Sequence, residues 1–177
     1  MKALLAVLLF AATALAQANP APPPAPSACG PLDVTFDAQA STSRAAGQPE
    51  PGKALVYVVE DYRQAPGELT NPTLRVGLDG SWMGATRASS YIFFAVTPGE
   101  HHLCANWQSR LKRFSRLTSF ARFSPEPGKI YYFRARIIYS PAGEGSAHAS
   151  LDLEPVDPDE GQFLVSSFRF SDSHPRK

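Results

Sequence analysis

Residues Leu74 to His101 read LRVGLDGSWMGATRASSYIFFAVTPGEH, and this stretch decides the fold class. Its first five residues alternate large apolar side chains with arginine and glycine, as in a strand with one buried face. Asp79-Gly80 follows at once and favours the positive φ angles of a two-residue hairpin turn, so Ser81 to Arg87 is expected to return antiparallel. Tyr91 to Val96 is another apolar strand, followed by a turn with proline and glycine at its centre. Three strands joined by tight turns indicate an all-β domain.

The same pattern of short apolar strands between turn residues extends on both sides. Ala54 to Val59 is nearly all apolar, which predicts a central strand covered on both faces. Ile130 to Tyr139 alternates and places Arg134 and Arg136 on its outward face. Further strands are expected over His101 to Trp107, Ser150 to Leu153 and Phe163 to Phe170, with an acidic turn over Val156 to Gly161. The sequence therefore predicts an all-β fold, a single antiparallel β-sandwich, immunoglobulin-like or prealbumin-like, of roughly eight strands.

The segment Ser109 to Phe123 fits two patterns. Its apolar residues recur at helical spacing, but its second half also alternates in the manner of a strand. We expect a loop or a short helical turn, followed by a strand from Leu117. A longer helix over Ser109 to Arg116 is the alternative.

The first residues have the features of a secretory signal peptide. Lys2 precedes an apolar run from Ala3 to Phe10, and Ala14-Leu15-Ala16 is a small-residue cleavage pattern, so cleavage is expected before Gln17. Nothing later approaches the roughly 20 apolar residues of a transmembrane helix. The expected location is the periplasm or the cell exterior, and an uncleaved anchor is the alternative.

The chain of 177 residues has the length of one domain. We expect a signal peptide over 1–16, a Pro/Ala-rich spacer and N-terminal extension over 17–50, a β-sandwich domain over 51–171 and a C-terminal tail over 172–177. Removal of Lys2 with the leader leaves 17 − 1 = 16 basic against 16 acidic residues. This balance gives no overall field for binding nucleic acid.

Two cysteines remain after the leader, Cys29 and Cys104. An exported chain meets an oxidising compartment, so a disulfide between them is expected. The enclosed loop of 104 − 29 = 75 residues corresponds to about 4 kcal/mol of stabilisation in the chain-entropy model. Lipid attachment at Cys29 is the alternative, but the residues before it lack the usual aliphatic position.

Two groups of side chains are candidates for binding. Six aromatic side chains are able to stack on sugar rings from an exposed sheet face, with packing in the core as the alternative: Trp82, Tyr91, Trp107, Tyr131, Tyr132 and Tyr139. A basic cluster interleaved with phenylalanines is a candidate for phosphate-rich polymers or lipid headgroups, and a solvated face is its alternative. The cluster consists of Arg110, Lys112, Arg113, Arg116 and Arg122.

Metal ligation has weaker sequence support. His102 shares a strand face with Cys104, but a sulfur in a disulfide is no thiolate ligand. Asp157 and Asp159 are carboxylates beside a glycine, without the distal glutamate of a calcium loop. We therefore expect no bound metal and no cofactor. His102, Asp157 and Asp159 are the weak candidates for metal ligands. No nucleophile elbow, phosphate loop or zinc-protease motif is present, so no catalytic residue is assigned.

Several turns and strand starts carry a family resemblance. They are Pro51 to Tyr57, Leu78-Asp79-Gly80 with Gly84, Ser90-Tyr91, Val96 to His101 and Gly128 to Phe133. In these residues the chain resembles the bacterial family known as domain of unknown function 2846, which implies an envelope-associated β-domain and supplies no activity. The stretch from Asp79 to His101 is also similar to PEGA-type β repeats, which implies association with a surface or cell wall.

These observations lead to an expected function. We expect a non-enzymatic module of the cell envelope that binds a protein or a cell-wall glycan, with contact to a membrane surface left open. The alternative is an envelope hydrolase or a metal-dependent enzyme whose site forms only in space. An enzyme requires a pocket with two or more titratable groups of shifted pKa, whereas a binding module requires a complementary surface.

Overall fold

A computed structural model describes residues 29–42, 44–62, 71–141 and 147–176. Within these residues the chain forms ten strands and two helices. In chain order they are β1 (Phe36–Ala40), β2 (Ala54–Glu60), β3 (Thr73–Leu78), β4 (Ser81–Arg87), β5 (Ser90–Val96), β6 (His101–Trp107), α1 (Lys112–Ser115), β7 (Thr118–Phe123), β8 (Ile130–Pro141), β9 (Ala147–Val156), α2 (Pro158–Ser167) and β10 (Arg169–Pro175). The predicted leader and spacer, up to residue 28, lie outside the described residues.

The strands form two sheets. The six-stranded sheet has the order β1-β10-β5-β2-β8-β9, and the four-stranded sheet has the order β4-β3-β6-β7. In the four-stranded sheet all pairs are antiparallel. In the six-stranded sheet β2 pairs with β8 in parallel, and so does β10 with β5. The turn Thr97 to Glu100 joins β5 of the six-stranded sheet to β6 of the four-stranded sheet.

The main core lies between the sheets. Val56 and Val58 of β2 and Phe133 of β8 pack against Val76 of β3 and Leu103 of β6. All seven residues of β2 are buried, as predicted for a central strand. The hairpin at Asp79-Gly80 is confirmed as well, because both residues have positive φ and Leu78 pairs with Ser81.

Each sheet is also covered on its outer face. Helix α2 covers the six-stranded sheet, where Leu164 packs on Leu55, Tyr57 and Tyr132. The N-terminal segment 29–40 packs against the four-stranded sheet, through residues such as Phe36 and Ala38. The domain is thus a β-sandwich with a further layer on each side.

The disulfide between Cys29 and Cys104 is present. It fixes the start of the N-terminal segment to β6, with Cα atoms 5.3 Å apart, in the usual range for a disulfide. Buried Arg75 of β3 holds the same segment, because its guanidinium donates to the carbonyls of Leu32 at 3.2 Å and Val34 at 2.5 Å. The predicted pairing of the cysteines is confirmed.

Some of the predicted fold is corrected. The all-β class is confirmed, but the described residues contain ten strands instead of roughly eight, and two pairings are parallel. The predicted acidic turn over Val156 to Gly161 and strand over Phe163 to Phe170 are wrong, because Pro158–Ser167 is a helix. The short helical turn before a strand near Leu117 is confirmed by α1 and β7.

The structured region extends beyond residues 51–171 at both ends. β1 lies within the predicted N-terminal extension, and β10 continues to Pro175 within the predicted tail. These two strands pair antiparallel, with Phe36 opposite Pro175 and Ala40 opposite Ser171. Neither described helix has the length and apolar character that crossing a bilayer would require.

Candidate functional site

A groove lies on the outer face of the six-stranded sheet, beside α2. Its floor is formed by Tyr57 of β2, Tyr91 of β5 and Tyr132 of β8, which are neighbouring strands. The parallel register places Tyr57 directly opposite Tyr132. Alternation along each strand sends these side chains away from the inter-sheet core and toward α2.

The aromatic floor is closely packed. The rings of Tyr57 and Tyr132 stack with centroids 5.3 Å apart and an interplanar angle of 19°. Tyr91 lies 5.9 Å from Tyr57 at a tilted angle, and Phe93 and Phe170 continue the cluster. Because the rings support one another, the floor is preorganised.

One wall of the groove is the segment 44–47. The hydroxyl of Tyr91 donates to the carbonyl of Ala45 at 2.6 Å, and the hydroxyl of Tyr57 accepts from the amide of Gly47 at 2.9 Å. Gly47 approaches so closely that a Cβ there would overlap the ring of Phe93. These contacts hold Arg44 at the rim.

The other wall is α2, whose start is defined by its sequence. Asp157 caps the helix by accepting from the amides of Asp159 at 2.9 Å and Glu160 at 3.0 Å, and Pro158 occupies the first helical position. Gly161 permits close contact, because a Cβ there would overlap Tyr132. Glu160 forms an ion pair with Arg134 of β8, which ties the helix to the sheet.

Burial determines the charge state of the floor. Desolvation raises the pKa of Tyr132, and the neighbouring Tyr57 raises it further. Desolvation and Tyr57 also raise the pKa of Tyr91, against a smaller opposing effect of Arg44. Tyr91 and Tyr132 therefore stay neutral at physiological pH and act as hydrogen-bond donors and acceptors. Among the described residues, none makes a hydrogen bond with the hydroxyl of Tyr132.

The cavity has a volume of about 290 Å³, near the lower end of small-molecule sites. An apolar aromatic floor meets a few polar groups at the rim: a guanidinium, an amide and a hydroxyl. Because Tyr57, Tyr91 and Tyr132 are only 4%, 1% and 8% exposed, the groove suits a small ligand that touches a limited part of the rings and bonds to the polar rim through hydroxyl or carbonyl groups. The lining residues are Arg44, Ala45, Ala46, Tyr57, Tyr91, Tyr132, Gln162, Val165 and Ser166.

Among the aromatic residues predicted for binding, Tyr91 and Tyr132 line this groove. Trp82 lies under the guanidinium of Arg75 at 4.5 Å and donates to the carbonyl of Pro31 at 2.8 Å, beside the disulfide. Trp107 is buried in the inter-sheet core and stacks on Phe114 with centroids 4.5 Å apart. Both tryptophans have packing partners where a ligand would have to stack.

The predicted basic residues lie on the other sheet. Arg110, Lys112, Arg113 and Arg116 are exposed on and around α1, which contacts β6. The structure therefore does not bring them together with Tyr91.

The residues named for metal binding do not come together in one site either. His102 Nε2 lies 3.3 Å from Glu100 Oε1, whereas Asp157 is occupied as the cap of α2. Asp159 lies in the first turn of that helix. In the part of the chain that the structure describes, no three His, Cys, Asp or Glu side chains are grouped to hold a metal ion.

Sequence reasoning missed most of the groove. The missed residues Arg44, Tyr57, Gln162 and Ser166 come from three separate parts of the chain. The one local signal was Asp157-Pro158 followed by Glu160, a helix start that would have predicted α2 and its cover over β8.

Fold and groove together define a two-sheet β-domain with a helix-covered face and a small tyrosine-floored groove. Residues 50–147, more than half of the chain, match the family described as Protein of unknown function (DUF2846). The chain belongs to this family, as the resemblance implied. A search of curated protein sequences returns no match.

Proposed function

We propose that this protein is an exported, non-enzymatic module of the cell envelope that binds a cell-wall glycan in the tyrosine groove. The observation that carries the proposal is the groove itself, a rigid aromatic floor with polar groups at its rim. Sugar rings present apolar C–H faces and outward hydroxyls, which match a phenol floor bordered by Arg44, Gln162 and Ser166.

Export is supported by two features. The first 16 residues have the charge, apolar run and cleavage pattern of a signal peptide. The disulfide between Cys29 and Cys104 belongs to an oxidising compartment such as the periplasm or the cell exterior. We accordingly propose that the mature protein begins at Gln17 and works outside the cytoplasm.

The chemistry of the lining favours binding over catalysis. A general acid or base works best with a pKa near the operating pH, whereas Tyr91 and Tyr132 have pKa values raised further from neutrality. The other polar groups of the lining are the guanidinium of Arg44, the amide of Gln162 and the hydroxyl of Ser166. These groups suit recognition of a neutral, hydroxyl-rich ligand.

A glycan also fits better than a protein partner. A standard protein interface buries about 800 Å² on each side, and a cavity of about 290 Å³ accommodates a much smaller group. Within this proposal the ligand is a short piece of a polymer, held by one or two rings.

The test is retention of the purified protein by insoluble cell-wall glycan. We expect the wild type to cosediment, and a Tyr132→Phe, Gln162→Ala double variant to bind about 30-fold more weakly, because each of the two lost hydrogen bonds contributes about 1 kcal/mol. Ser167→Ala, an exposed change on the same helix, is the matched control. Absence of wild-type retention, or equal retention of the double variant, would overturn the proposal.

A further inference from the structure

The segment Ser109 to Pro125 concentrates positive charge. It holds five basic residues and no acidic residue. Taking these five from the seventeen basic residues of the chain leaves twelve against sixteen acidic residues elsewhere. A protein with nearly balanced charge therefore carries one strongly positive surface, on and around α1.

Most of this positive charge is not compensated by neighbouring carboxylates. Arg110, Lys112, Arg113 and Arg116 are exposed, and in the described part of the chain none of them forms an ion pair. Arg122 has a long contact to a carboxylate, with its Nε 3.9 Å from Glu100 Oε1. We call the four unpaired cations together with Leu111 the α1 patch.

Apolar side chains are exposed among these cations. Leu111 lies between two cationic residues in sequence and is 54% exposed, and Phe120 on the edge strand β7 is 43% exposed. Exposed large apolar side chains among cations are typical of proteins that lie at a membrane interface, where cations meet phosphates and apolar groups enter the acyl boundary.

The α1 patch is held rigidly. Phe114 stacks on buried Trp107 with centroids 4.5 Å apart. Asn106 of β6 is buried and donates to the carbonyls of Ser115 at 3.0 Å and Leu117 at 3.1 Å. Its amide oxygen accepts from Arg75, the same residue that holds the N-terminal segment. A fixed backbone reduces the ordering entropy that binding costs.

We propose that the α1 patch docks the protein on an anionic lipid surface. Phosphate headgroups complement the four unpaired cations, and Leu111 enters the boundary between headgroups and acyl chains. Exposed Phe120 on the neighbouring strand can enter the same boundary. A soluble polyanion would use the charge and leave Leu111 without a partner, which is why the lipid surface fits better. The glycan groove lies on the other sheet, so this docking is independent of the proposed glycan binding.

The test is cosedimentation of the purified, disulfide-bonded protein with vesicles. Vesicles of phosphatidylcholine and phosphatidylglycerol in equal parts are compared with phosphatidylcholine alone. A cation near an anionic surface strengthens binding about fivefold, so Arg110→Gln with Arg116→Gln should weaken it about 25-fold. Lys129→Gln with Arg169→Gln removes the same charge from exposed positions elsewhere and should change binding little. Circular dichroism checks that both variants are folded.

A third variant separates a lipid surface from other anions. Leu111→Ser should weaken binding to anionic vesicles and leave any binding to soluble polyglutamate unchanged. The proposal is overturned if the wild type does not bind anionic vesicles at low salt, or if the Lys129 and Arg169 control loses as much affinity. It is also overturned if polyglutamate binds as tightly as the vesicles and Leu111→Ser has no effect on either.

Discussion

Glu60, at the end of β2, is a carboxyl group buried between the two sheets. It is 1% exposed, and among the described residues neither carboxylate oxygen accepts a hydrogen bond of good geometry. Desolvation raises its pKa well above the usual 4.5, against smaller opposing effects of Thr86, Arg87 and the amide of Ala88. Folding therefore favours the protonated form of this side chain.

The substitution Glu60→Gln should stabilise the protein at neutral pH. A carboxyl group whose pKa is raised by folding contributes most to stability below its pKa in the unfolded chain, 4.5. That stability is lost as the pH rises to the pKa in the folded protein. The amide mimics the protonated form, so the variant should match the wild type near pH 4 and exceed it by about 1–3 kcal/mol at neutral pH. Urea unfolding at both pH values measures the difference. Equal free energies of unfolding at neutral pH would contradict the buried charge penalty.

A titrating pair, Asp79 and His101, holds the hairpin between β3 and β4 against β6. His101 Nδ1 lies 2.6 Å from Asp79 Oδ2, and its Nε2 lies 2.8 Å from the carbonyl of Thr97. Burial opposes the imidazolium, but these two acceptors outweigh it and raise the pKa of His101 above 6.5. Burial also opposes the Asp79 carboxylate, but the amide of His102 and the ring of His101 lower its pKa below 3.8.

Asp79→Asn should lower the free energy of unfolding at mildly acidic pH. The stability that His101 contributes is fully present below pH 6.5 and is lost as the pH rises through the pKa of His101 in the folded protein. The stability that Asp79 contributes is fully present above pH 3.8 and is lost as the pH falls through the lowered pKa of Asp79. Because Asp79 is 47% exposed, the expected loss near pH 5 is about 0.5–1 kcal/mol. Asparagine tolerates the positive φ of this position. Thermal unfolding should show the deficit near pH 5 and a smaller one at alkaline pH; an equal deficit at both would show that the charge has no role.

At the scale of the element, α2 is the feature that builds the groove. It lies close to the sheet because Gly161 has no side chain where it meets Tyr132. Leu164 is buried beneath it, whereas Phe163 is 67% exposed. This close contact and the buried leucine position the helix together with the ion pair between Glu160 and Arg134.

Gly161→Ala should destabilise the protein although alanine is the better helix former. The added methyl overlaps the ring and Cβ of Tyr132, and overpacking of this kind costs about 1–3 kcal/mol, more than the gain in helix propensity of about 1 kcal/mol. Ser167→Ala on the same helix has no such contact and is the control. Urea unfolding measures both, and a more stable Gly161→Ala variant would contradict the close packing of α2.

Most strands were predicted and α2 was not, although Asp157 and Pro158 signal the start of the helix, and the reasons are local. Apolar alternation and the Asp79-Gly80 turn depend on adjacent residues, so β3 to β5 follow from the sequence. Around α2, the short apolar run after Gly161 also fits a strand, and Ser166 and Ser167 weaken the helical pattern. The parallel pairing of β2 with β8 depends on residues far apart in the chain, and alternation does not identify a strand's partner.

At the scale of the whole molecule, the disulfide holds the N-terminal segment 29–40 on the four-stranded sheet. Replacing Cys29 and Cys104 together by alanine should lower the free energy of unfolding by about 2–5 kcal/mol, because a loop of 75 residues is no longer closed in the unfolded chain. Thermal unfolding measures the loss, and unfolding of the wild type in reductant should reproduce it. Two free thiols in protein recovered from its native compartment would contradict the pairing.

The tyrosine groove shows why a site can escape sequence reasoning. Tyr91 and Tyr132 were candidates because they are aromatic, but Tyr57 resembles an ordinary core residue of a buried strand. Their role depends on three strands coming side by side and on α2 leaving one edge of them uncovered. Trp82 and Trp107 looked equally suitable in sequence. Trp82 instead packs beside the disulfide and Trp107 packs on Phe114, so both have a structural role.

The most direct test of glycan binding at the groove is an amide chemical-shift titration of the ¹⁵N-labelled protein with soluble cell-wall disaccharide fragments. We predict saturable shifts that cluster at residues 44–47, at Tyr57 and Tyr132, and along Gln162 to Ser166. Shifts that are absent at high ligand concentration, or that cluster around α1 or the β3–β4 hairpin, would contradict the assignment of the groove as the binding site.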